Sequence, residues 1–411
     1  MKKLIGALAL AAMVATSAFA EVSFGGWVRT LPTYVGSDGE DIKTAALSAS
    51  WGGPFWARWD ASWTSDDGKA GLKFKLAADK GGVGTHDDVG IWLKPIDQLK
   101  IEIGALDNFG GLRSDLGFGS WNWLRPSTIL VEDEGITFGR GQNGQGLGLL
   151  ITPVDALKIA VVTPLENTLQ RGDIGFGNAS VAAGYTIDGL GTIKAGFFGE
   201  YNAAGDASKY GRIDGAFDLT GIDKLFLTVG VSYRLASSDY WKGVHANDGK
   251  TDRKADGTVL DPTKAEDAKK IADNTWASTT ENYMLKAALA ASYGITEAFK
   301  VSANFAMYMF NKDVADDPAM QFGVGADYAL SDSLSVTGDV RMLMPNNKID
   351  PSLSFLVGLV GSIGSNASLG IGFQGITGFG DKARAGDLKV VTATAGNKFA
   401  WAVPLKAELS F

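Results

Sequence analysis

The sequence predicts an all-β fold, a transmembrane antiparallel up-and-down β-barrel of 16 to 18 strands. Three observations predict it. The chain ends in a strict alternation of apolar and polar residues, short turns alternate with long polar segments along its length, and its mean hydropathy is near zero. A strand that shows one face to lipid and the other to water alternates in this way, and half of its residues are then polar.

The last thirteen residues carry the clearest alternation. Apolar residues occupy every second position from Phe399 to Phe411, and Lys406, Glu408 and Ser410 lie between them. This ending resembles the terminal strand of bacterial outer-membrane β-barrels. The resemblance implies that Phe411 is an assembly signal and that the barrel-assembly machinery is a partner.

The first twenty residues have the features of a secretory signal. Two lysines precede a short apolar run, and Ala18-Phe19-Ala20 supplies the small-x-small site at which a signal peptidase cuts. The run is too short to span a bilayer as an anchor. We therefore expect residues 1–20 to be a cleaved signal peptide and residues 21–411 to form the barrel. The chain has no cysteine, which excludes both a lipoprotein anchor and a disulfide framework.

Tight turns and long loops alternate along the mature chain. Five short turns share one pattern, an acidic residue followed two positions later by the first apolar residue of a strand. These acidic residues are Asp97, Asp155, Asp223, Glu297 and Asp332. Their irregular spacing argues against a propeller or solenoid. The long polar segments cover about 35–41, 108–145, 165–173, 202–209, 236–279, 311–318, 345–351 and 379–397. Short turns at one end and long loops at the other are typical of outer-membrane barrels.

Eighteen alternating strands can be read between these connections. They are 22–34, 55–64, 70–79, 87–94, 99–107, 146–152, 156–164, 175–187, 191–201, 211–220, 225–235, 281–293, 298–310, 319–330, 333–344, 352–363, 366–377 and 398–411. Residues 42–51 also alternate, but a nineteenth strand would put the termini on opposite sides of the membrane. On 281–293, we expect Tyr283 and Tyr293 to face lipid at the two aromatic girdles.

Charged residues occupy the strand faces opposite the apolar ones. The basic residues predicted to line the pore are Arg58, Lys73, Lys75, Lys100, Lys158, Lys194, Arg212, Arg234, Lys286, Lys300, Arg341 and Lys406. The acidic residues are Asp60, Glu102, Glu200, Asp214, Asp218, Asp327, Asp339 and Glu408. Burying so many ionisable groups in a dry core would be very costly, so the pattern favours a water-filled lumen. A barrel plugged by a folded domain is the alternative, and no segment is long enough to be a globular plug.

Two long segments are special. Residues 108–145 mix aromatic and charged residues and resemble the third loop of general porins, which folds inward and narrows the channel. The resemblance makes Glu132, Asp133 and Glu134 the acidic group of a candidate constriction loop; a loop that stays outside and caps the rim is the other placement. Residues 236–279 form a long polar loop, which we expect to be a solvated surface excursion.

Little in the sequence suggests catalysis or a cofactor. The two histidines, His86 and His245, have no supporting motif, although His86 precedes two aspartates. Gly139 to Gly144 fits G-x-G-x-x-G, but a strand rather than a helix follows it. Asp252 to Gly257 lacks the closing glutamate of a calcium loop. We therefore predict no enzymatic activity, no cofactor and no bound metal.

Removing the two signal lysines from the 38 basic residues leaves 36 against 46 acidic ones, a net charge of about −10 that argues against nucleic acid as a partner. The resemblance to bacterial porins implies an outer-membrane protein that lies in the lipid bilayer and lets small hydrophilic solutes and ions diffuse through its water-filled barrel. Such porins usually assemble as homotrimers. A barrel with a closed lumen, serving as an adhesin or structural protein, is the alternative. In a sugar-selective variant, Trp56, Trp92 and Phe198 would be the aromatic residues that contact the solute.

Overall fold

The computed structural model describes residues 21–30, 32–47, 55–79, 82–85, 89–106, 109–116, 136–138, 145–165, 177–204, 207–241, 283–312, 318–344, 350–380, 387–388, 391–392 and 399–411. Strand segments make up most of these residues. The predicted signal peptide, both histidines, the glycine-rich match and the calcium-like segment lie outside the described residues, as do Glu132, Asp133 and Glu134.

The described residues contain 25 strand segments, a short 3-10 helix at Phe109–Gly111 and helical residues at 177 and 238–241. The strands of the first half are β1 (Glu21–Thr30), β2 (Pro32–Ser37), β3 (Ile42–Leu47), β4 (Phe55–Thr64), β5 (Ala70–Asp79), β6 (Gly82–Thr85), β7 (Gly90–Ile96), β8 (Leu99–Ala105), β9 (Ser114–Leu116), β10 (Ile136–Phe138), β11 (Gln145–Val154), β12 (Leu157–Pro164) and β13 (Ser180–Ile187). The remaining strands are β14 (Gly191–Ala204), β15 (Ala207–Leu219), β16 (Leu225–Ala236), β17 (Leu285–Gly294), β18 (Phe299–Met309), β19 (Ala319–Ser331), β20 (Leu334–Met344), β21 (Ser352–Ile363), β22 (Ala367–Gly378), β23 (Asp387–Leu388), β24 (Val391–Thr392) and β25 (Ala400–Ser410).

These segments close into an antiparallel barrel with eighteen strand positions among the described residues. β25 pairs with β22 on one side and with β1 on the other, which closes the ring. The eighteen positions match the eighteen strands read from the sequence, so the predicted fold is confirmed. β9 with β10, and β23 with β24, form two separate small sheets.

The pairing also explains the extra alternation at 42–51. β2 continues the line of β1 along β25, and β3 pairs with β2 just as β4 pairs with β1. β3 and β4 therefore occupy one strand position, and the number of positions stays even. β6 and β7 share one position along β5 in the same way.

Phe411 completes the closure of the barrel. Its backbone N–H donates to the carbonyl oxygen of Gly26 at 3.0 Å, and the N–H of Gly26 donates to the carbonyl oxygen of Phe411 at 2.9 Å. Gly26 has to be small, because a Cβ there would lie 2.9 Å from the Phe411 ring and 2.2 Å from the Arg58 carbonyl oxygen. The last residue thus joins the two ends of the sheet.

The two faces of the strands have the opposite exposure to that of a soluble protein. On β16, Val229 is 42% exposed, whereas the adjacent Thr228 is fully buried. Val231 and Tyr233 are exposed as well, and Ser232 between them is buried. We call the apolar, exposed face the outer face and the other the inner face; the pattern is that of a sheet whose outer face meets lipid.

Short turns connect the strands at one end of the barrel and are held by local hydrogen bonds. In the turn between β4 and β5, Ser65 donates to Asp67 at 2.7 Å, which lowers the pKa of the Asp67 carboxyl. Lys224 and Glu297 join two neighbouring turns through a 2.5 Å bond, which raises the pKa of the lysine and lowers that of the glutamate. Each turn thus satisfies its polar groups locally.

The structure differs from the sequence prediction in three places. β14 and β15 extend through most of 202–209, which was expected to be a loop. The prediction that Tyr283 faces lipid is wrong: β17 begins only at Leu285, and Tyr283 is 5% exposed. The segment 236–279 also differs at its described start, where Trp241 is buried rather than solvated.

Eighteen strands about 4.8 Å apart and tilted by about 40° enclose a ring about 36 Å across, measured between backbones. Wall side chains alone cannot fill such a lumen. None of the helices in the described part of the chain is long and apolar enough to cross a bilayer.

Candidate permeation pathway

Every ionisable residue that the sequence assigned to the strands lies at an inner-face position. The strand registers place on this one face the eighteen residues named above as pore-lining, from Arg58 to Arg341, together with Lys406 and Glu408. What covers the inner face differs around the barrel, however, and this divides the residues into two groups.

The first group lies on β4, β5, β7 and β8. Its basic side chains and Asp60 are partly exposed along the wall, whereas Glu102 is 2% exposed. Arg58 donates to Asp60 at 2.8 Å. Lys73 and Lys100 both contact the Glu102 carboxylate at 2.6 Å. Two cations around one acid leave a local excess of positive charge on this wall.

Aromatic side chains accompany these charges. The ammonium group of Lys100 lies 5.2 Å from the centre of the Trp92 ring, and that of Lys94 lies 5.6 Å away. Gly71 lies directly against Trp92, where a Cβ would come within 2.4 Å of the ring. The absence of a side chain at 71 therefore sets the position of the indole. The side chain of Trp56 lies outside the described residues.

The second group lies on β14, β15 and β16 and is packed rather than open. The Glu200 carboxylate accepts from Lys209 at 3.0 Å, Arg212 at 3.0 Å and Arg234 at 3.2 Å. The three cations and the carboxylate neutralise one another, which offsets the desolvation cost of charges that have little exposure to water. Asp214 accepts from Arg212 at 3.1 Å and from the Ser232 hydroxyl at 2.6 Å.

The same is true farther round the ring. Asp339 and Arg341 on β20 are buried and lie 3.4 Å apart, and Lys286 on β17 is buried as well. By contrast, the inner positions nearest the turns are more open. These turn-end residues include Lys158 and Lys300, which are exposed, and Asp327, which is partly exposed and pairs with Lys300 in the strand register.

The first described part of the loop 108–145 packs against the inner face. Leu112 contacts Ala160, Ala182 and Phe198, which lie on β12, β13 and β14. Glycine makes room for it, because a Cβ at Gly184 would lie 2.6 Å from a Leu112 methyl group. Phe109 lies over Gly148 in the same way.

Polar contacts fix this segment in place. Lys194 donates to the Arg113 carbonyl oxygen at 2.9 Å and to the Ser114 hydroxyl at 3.0 Å. Ser114 in turn donates to Asp218 at 3.0 Å, and Lys194 and Asp218 form a 2.7 Å ion pair. Residues 109–114 are therefore held between β12 and β15 by both apolar and charged groups.

Phe198 differs from the expectation that it lies open to solutes. It is buried beneath Leu112, and the guanidinium of Arg212 lies 4.9 Å from its ring centre.

Trp27 is an aromatic residue that the sequence reasoning missed. The guanidinium of Arg29 stacks 3.6 Å from the centre of the Trp27 ring and contacts Glu408 at 3.4 Å. The parity of β1 was sufficient to place both residues on the inner face.

Within the described ranges, no group of three or more His, Cys, Asp or Glu side chains is placed to hold a metal ion. The histidines and the two short motifs weighed for catalysis, nucleotide binding and calcium lie outside those ranges.

Comparisons with known proteins agree with the architecture. The family model described as Gram-negative porin matches residues 7–348. The fold is similar to that of an anion-selective porin from Comamonas acidovorans, with a TM-score of 0.52 and 12% identity over 95% of this chain and 100% of that one. A mutant of the Rh. blastica porin aligns at a TM-score of 0.45 and 13% identity over 95% of this chain and 100% of that one. No curated protein matches the chain significantly. The chain belongs to the Gram-negative porin family and allows passive diffusion of small hydrophilic solutes across the outer membrane.

Proposed function

We propose that solutes and ions pass along the inner face of β4, β5, β7 and β8, and that the passage has a slight anion preference. The observation that carries this is the cation-rich wall on which Arg58, Lys73 and Lys100 are partly exposed, with Asp60 beside Arg58 and the buried Glu102 carboxylate between the two lysines. Charges in a narrow passage act more strongly on an ion than loop charges, which salt screens over about 8–10 Å.

The other inner charges contribute less to selectivity. Five of them are buried, namely Asp214, Arg234, Lys286, Asp339 and Arg341. Nearby groups of opposite charge offset the charges of Asp214, Arg234, Asp339 and Arg341. The turn-end residues Lys158, Lys300 and Asp327 would line the mouth, whereas Lys194 and Asp218 pair with each other and hold residues 109–114 against the wall. Lys75, Glu200, Arg212, Lys406 and Glu408 complete the set of residues assigned to the lumen.

The loop 108–145 is proposed as the constriction. The contacts of Leu112 and Ser114 with the inner face support an inward path for its first part. Glu132, Asp133 and Glu134 would then face the basic wall and moderate its anion preference. Single-channel recording in a planar bilayer tests the passage, and the reversal potential in a salt gradient tests the selectivity. We expect a triple variant with Gln, Asn and Gln at these positions to be more anion-selective than the parent.

The outcomes are distinct. Strong cation preference in both proteins would mean that the basic wall does not line the passage. A protein that assembles but never conducts would favour the closed-lumen adhesin or structural barrel.

Export and assembly form the second part of the proposal. Cleavage after Ala20 would release the barrel into the periplasm, and Phe411 would be recognised by the assembly machinery. Phe411→Ser is expected to reduce barrel yield in heat-modifiability gels while leaving secretion intact. The mass of the mature protein tests the cleavage site, and unchanged barrel yield would contradict the role of Phe411.

The porin is proposed to act without catalysis and without a cofactor, and to assemble as a homotrimer in the lipid bilayer. Native mass spectrometry in detergent would report the oligomeric state. A monomer with full conductance would remove the trimer from the proposal and leave the channel intact.

A further inference from the structure

Both described ends of the long segment between β16 and β17 turn into the barrel. The first end is tied to β15, because Ser237 N–H donates to the Ser208 carbonyl oxygen at 2.8 Å. The second end lies between β16 and β18. There the Met284 carbonyl oxygen accepts from Arg234 N–H at 2.8 Å, and Met284 N–H donates to Met309 at 2.8 Å. These bonds fix where the chain leaves and re-enters the wall.

Large aromatic residues stand at these two ends. Trp241 is 3% exposed, although it lies within the loop 236–279 that was expected to be solvated. Tyr283 lies two residues before β17. They belong to one buried cluster with Tyr308 and Phe310 from the end of β18. We call these four residues, Trp241, Tyr283, Tyr308 and Phe310, the aromatic wedge.

The barrel wall beneath the aromatic wedge has short side chains that leave room for the rings. Five of its inner-face residues are alanines, and all five are buried. They are Ala216 on β15, Ala288 and Ala290 on β17, Ala306 on β18 and Ala319 on β19. Inner-face alanines of a wide, water-filled barrel would contact water, so their burial means that they are covered. The short side chains let the rings lie close to the backbone.

Polar contacts hold the rings at fixed positions. The Tyr283 hydroxyl lies 3.2 Å from the Ser232 hydroxyl, and the ring meets Tyr308 edge-on at 6.0 Å between centres. Arg234 lies 4.7 Å from the centre of the Tyr283 ring and Lys286 lies 5.1 Å from it. A ring with a bonded hydroxyl and two cations on it is well fixed.

The residue beside the wedge is partly buried as well. Tyr240 precedes Trp241, and the two rings meet edge-on at 5.1 Å. Burial raises the pKa of the Tyr240 phenol, with the nearby Arg234 acting in the opposite direction. Water is therefore partly excluded from the start of the segment as well.

We propose that the aromatic wedge is a second, permanent narrowing of the lumen, which closes the β15–β19 side to solutes and sets an upper limit on their size. It acts independently of the constriction proposed for the loop 108–145. The inference rests on the proposed function, because a size limit has meaning only in a conducting barrel. The solutes excluded would be bulky hydrophilic molecules, such as oligosaccharides, that a ring of this diameter would otherwise admit.

The test compares Trp241→Ala/Tyr283→Ala with Tyr233→Ala, which removes an exposed tyrosine from the outer face of β16. Heat-modifiability gels first establish that each variant folds. We expect the wedge variant to increase single-channel conductance about 1.5-fold, because conductance follows the open cross-section. It should also admit larger sugars in a liposome-swelling assay, and the control should do neither.

A second readout uses the fact that the chain has no cysteine. Ala288→Cys lies under the wedge, and Ser292→Cys lies on the same inner face near the turns, where the wall is partly exposed. A water-soluble methanethiosulfonate should label position 292 in every background but position 288 only in the wedge variant.

Three results have fixed meanings. Labelling of position 288 in the otherwise unchanged protein would overturn the inference, since the wall would then be open. So would folded wedge variants with parental conductance and sugar uptake. A parent protein that does not conduct would instead contradict the proposed function. If the double variant fails to fold, Trp241→Leu with the Ala288→Cys label keeps the question testable.

Discussion

Arginine at position 229 should destabilise the barrel far more than arginine at an open inner position. Val229 lies on the outer face of β16, and its register neighbours, Phe217 on β15 and Leu289 on β17, are apolar. The position is four residues from Leu225, which corresponds to about 13 Å along the strand and about 10 Å of depth after a tilt of about 40°. An arginine side chain spans only part of that depth, so the cost should be about 2–4 kcal/mol.

The matched control is Ser62→Arg on β4, which is partly exposed on the inner face opposite Lys73 and shares only an exposed 2.7 Å hydrogen bond with the Ser23 hydroxyl. We expect a cost close to zero there. Urea unfolding of the refolded barrel, followed by tryptophan fluorescence, measures both costs. The difference corresponds to a change of about 30- to 700-fold in the folding equilibrium, at about 1.4 kcal/mol per tenfold. Equal costs at 229 and 62 would refute the assignment of the two faces. Thr228→Arg is not a suitable control, because Thr228 is fully buried and donates to Asp218 at 2.9 Å.

Three further predictions concern closure, pH and selectivity. Gly26→Ala should cost about 1–3 kcal/mol and lower barrel yield, because its methyl group would collide with the Phe411 ring; a yield equal to that of the parent would argue against the closing contact. The bond between Lys224 and Glu297 lowers the glutamate pKa and raises the lysine pKa, so its stabilisation should be present near neutral pH. It should fade as pH falls through the lowered pKa of the glutamate or rises through the raised pKa of the lysine, and Glu297→Gln should remove that acid dependence from thermal unfolding curves. Glu102→Gln leaves its two lysine partners in place and should raise the anion-to-cation permeability ratio about twofold, whereas a fall in that ratio would mean that this wall does not face the permeating ion.

The strand faces could be predicted because lipid imposes a rule on every second residue. Leu225, Val229 and Tyr233 share a face for the same reason that Phe399 and Phe411 do, and that reason is independent of which strands are neighbours. The strand count follows from the same rule, together with the requirement that both termini lie on one side. The face of Tyr283 was predicted wrongly because this residue lies before β17 begins at Leu285, where alternation no longer determines the direction of a side chain.

What covers the inner face could not be predicted from alternation. Parity places Arg58 and Arg341 on the same surface, yet the first is partly exposed and the second is buried. The difference is set by contacts between residues far apart in sequence, such as Leu112 on Ala160 and Trp241 near Ala288. Small residues at inner positions were the available signal.

Small residues at inner positions have the same physical explanation at several places in the barrel. A water-filled wall gains nothing from alanine or glycine, since polar side chains are better solvated there, whereas a covered wall needs short side chains to admit another element. Gly148 and Gly184 lie beneath Phe109 and Leu112, and the alanines of β17 lie beneath the aromatic wedge. The partly exposed wall has arginine, lysine and tryptophan at inner positions, and its small residue Gly71 lies against Trp92 of a wall strand. On the covered side, Phe109, Leu112 and Trp241 come from segments between the strands. Small inner-face residues therefore mark the covered side of this lumen where the side chain above them comes from such a segment.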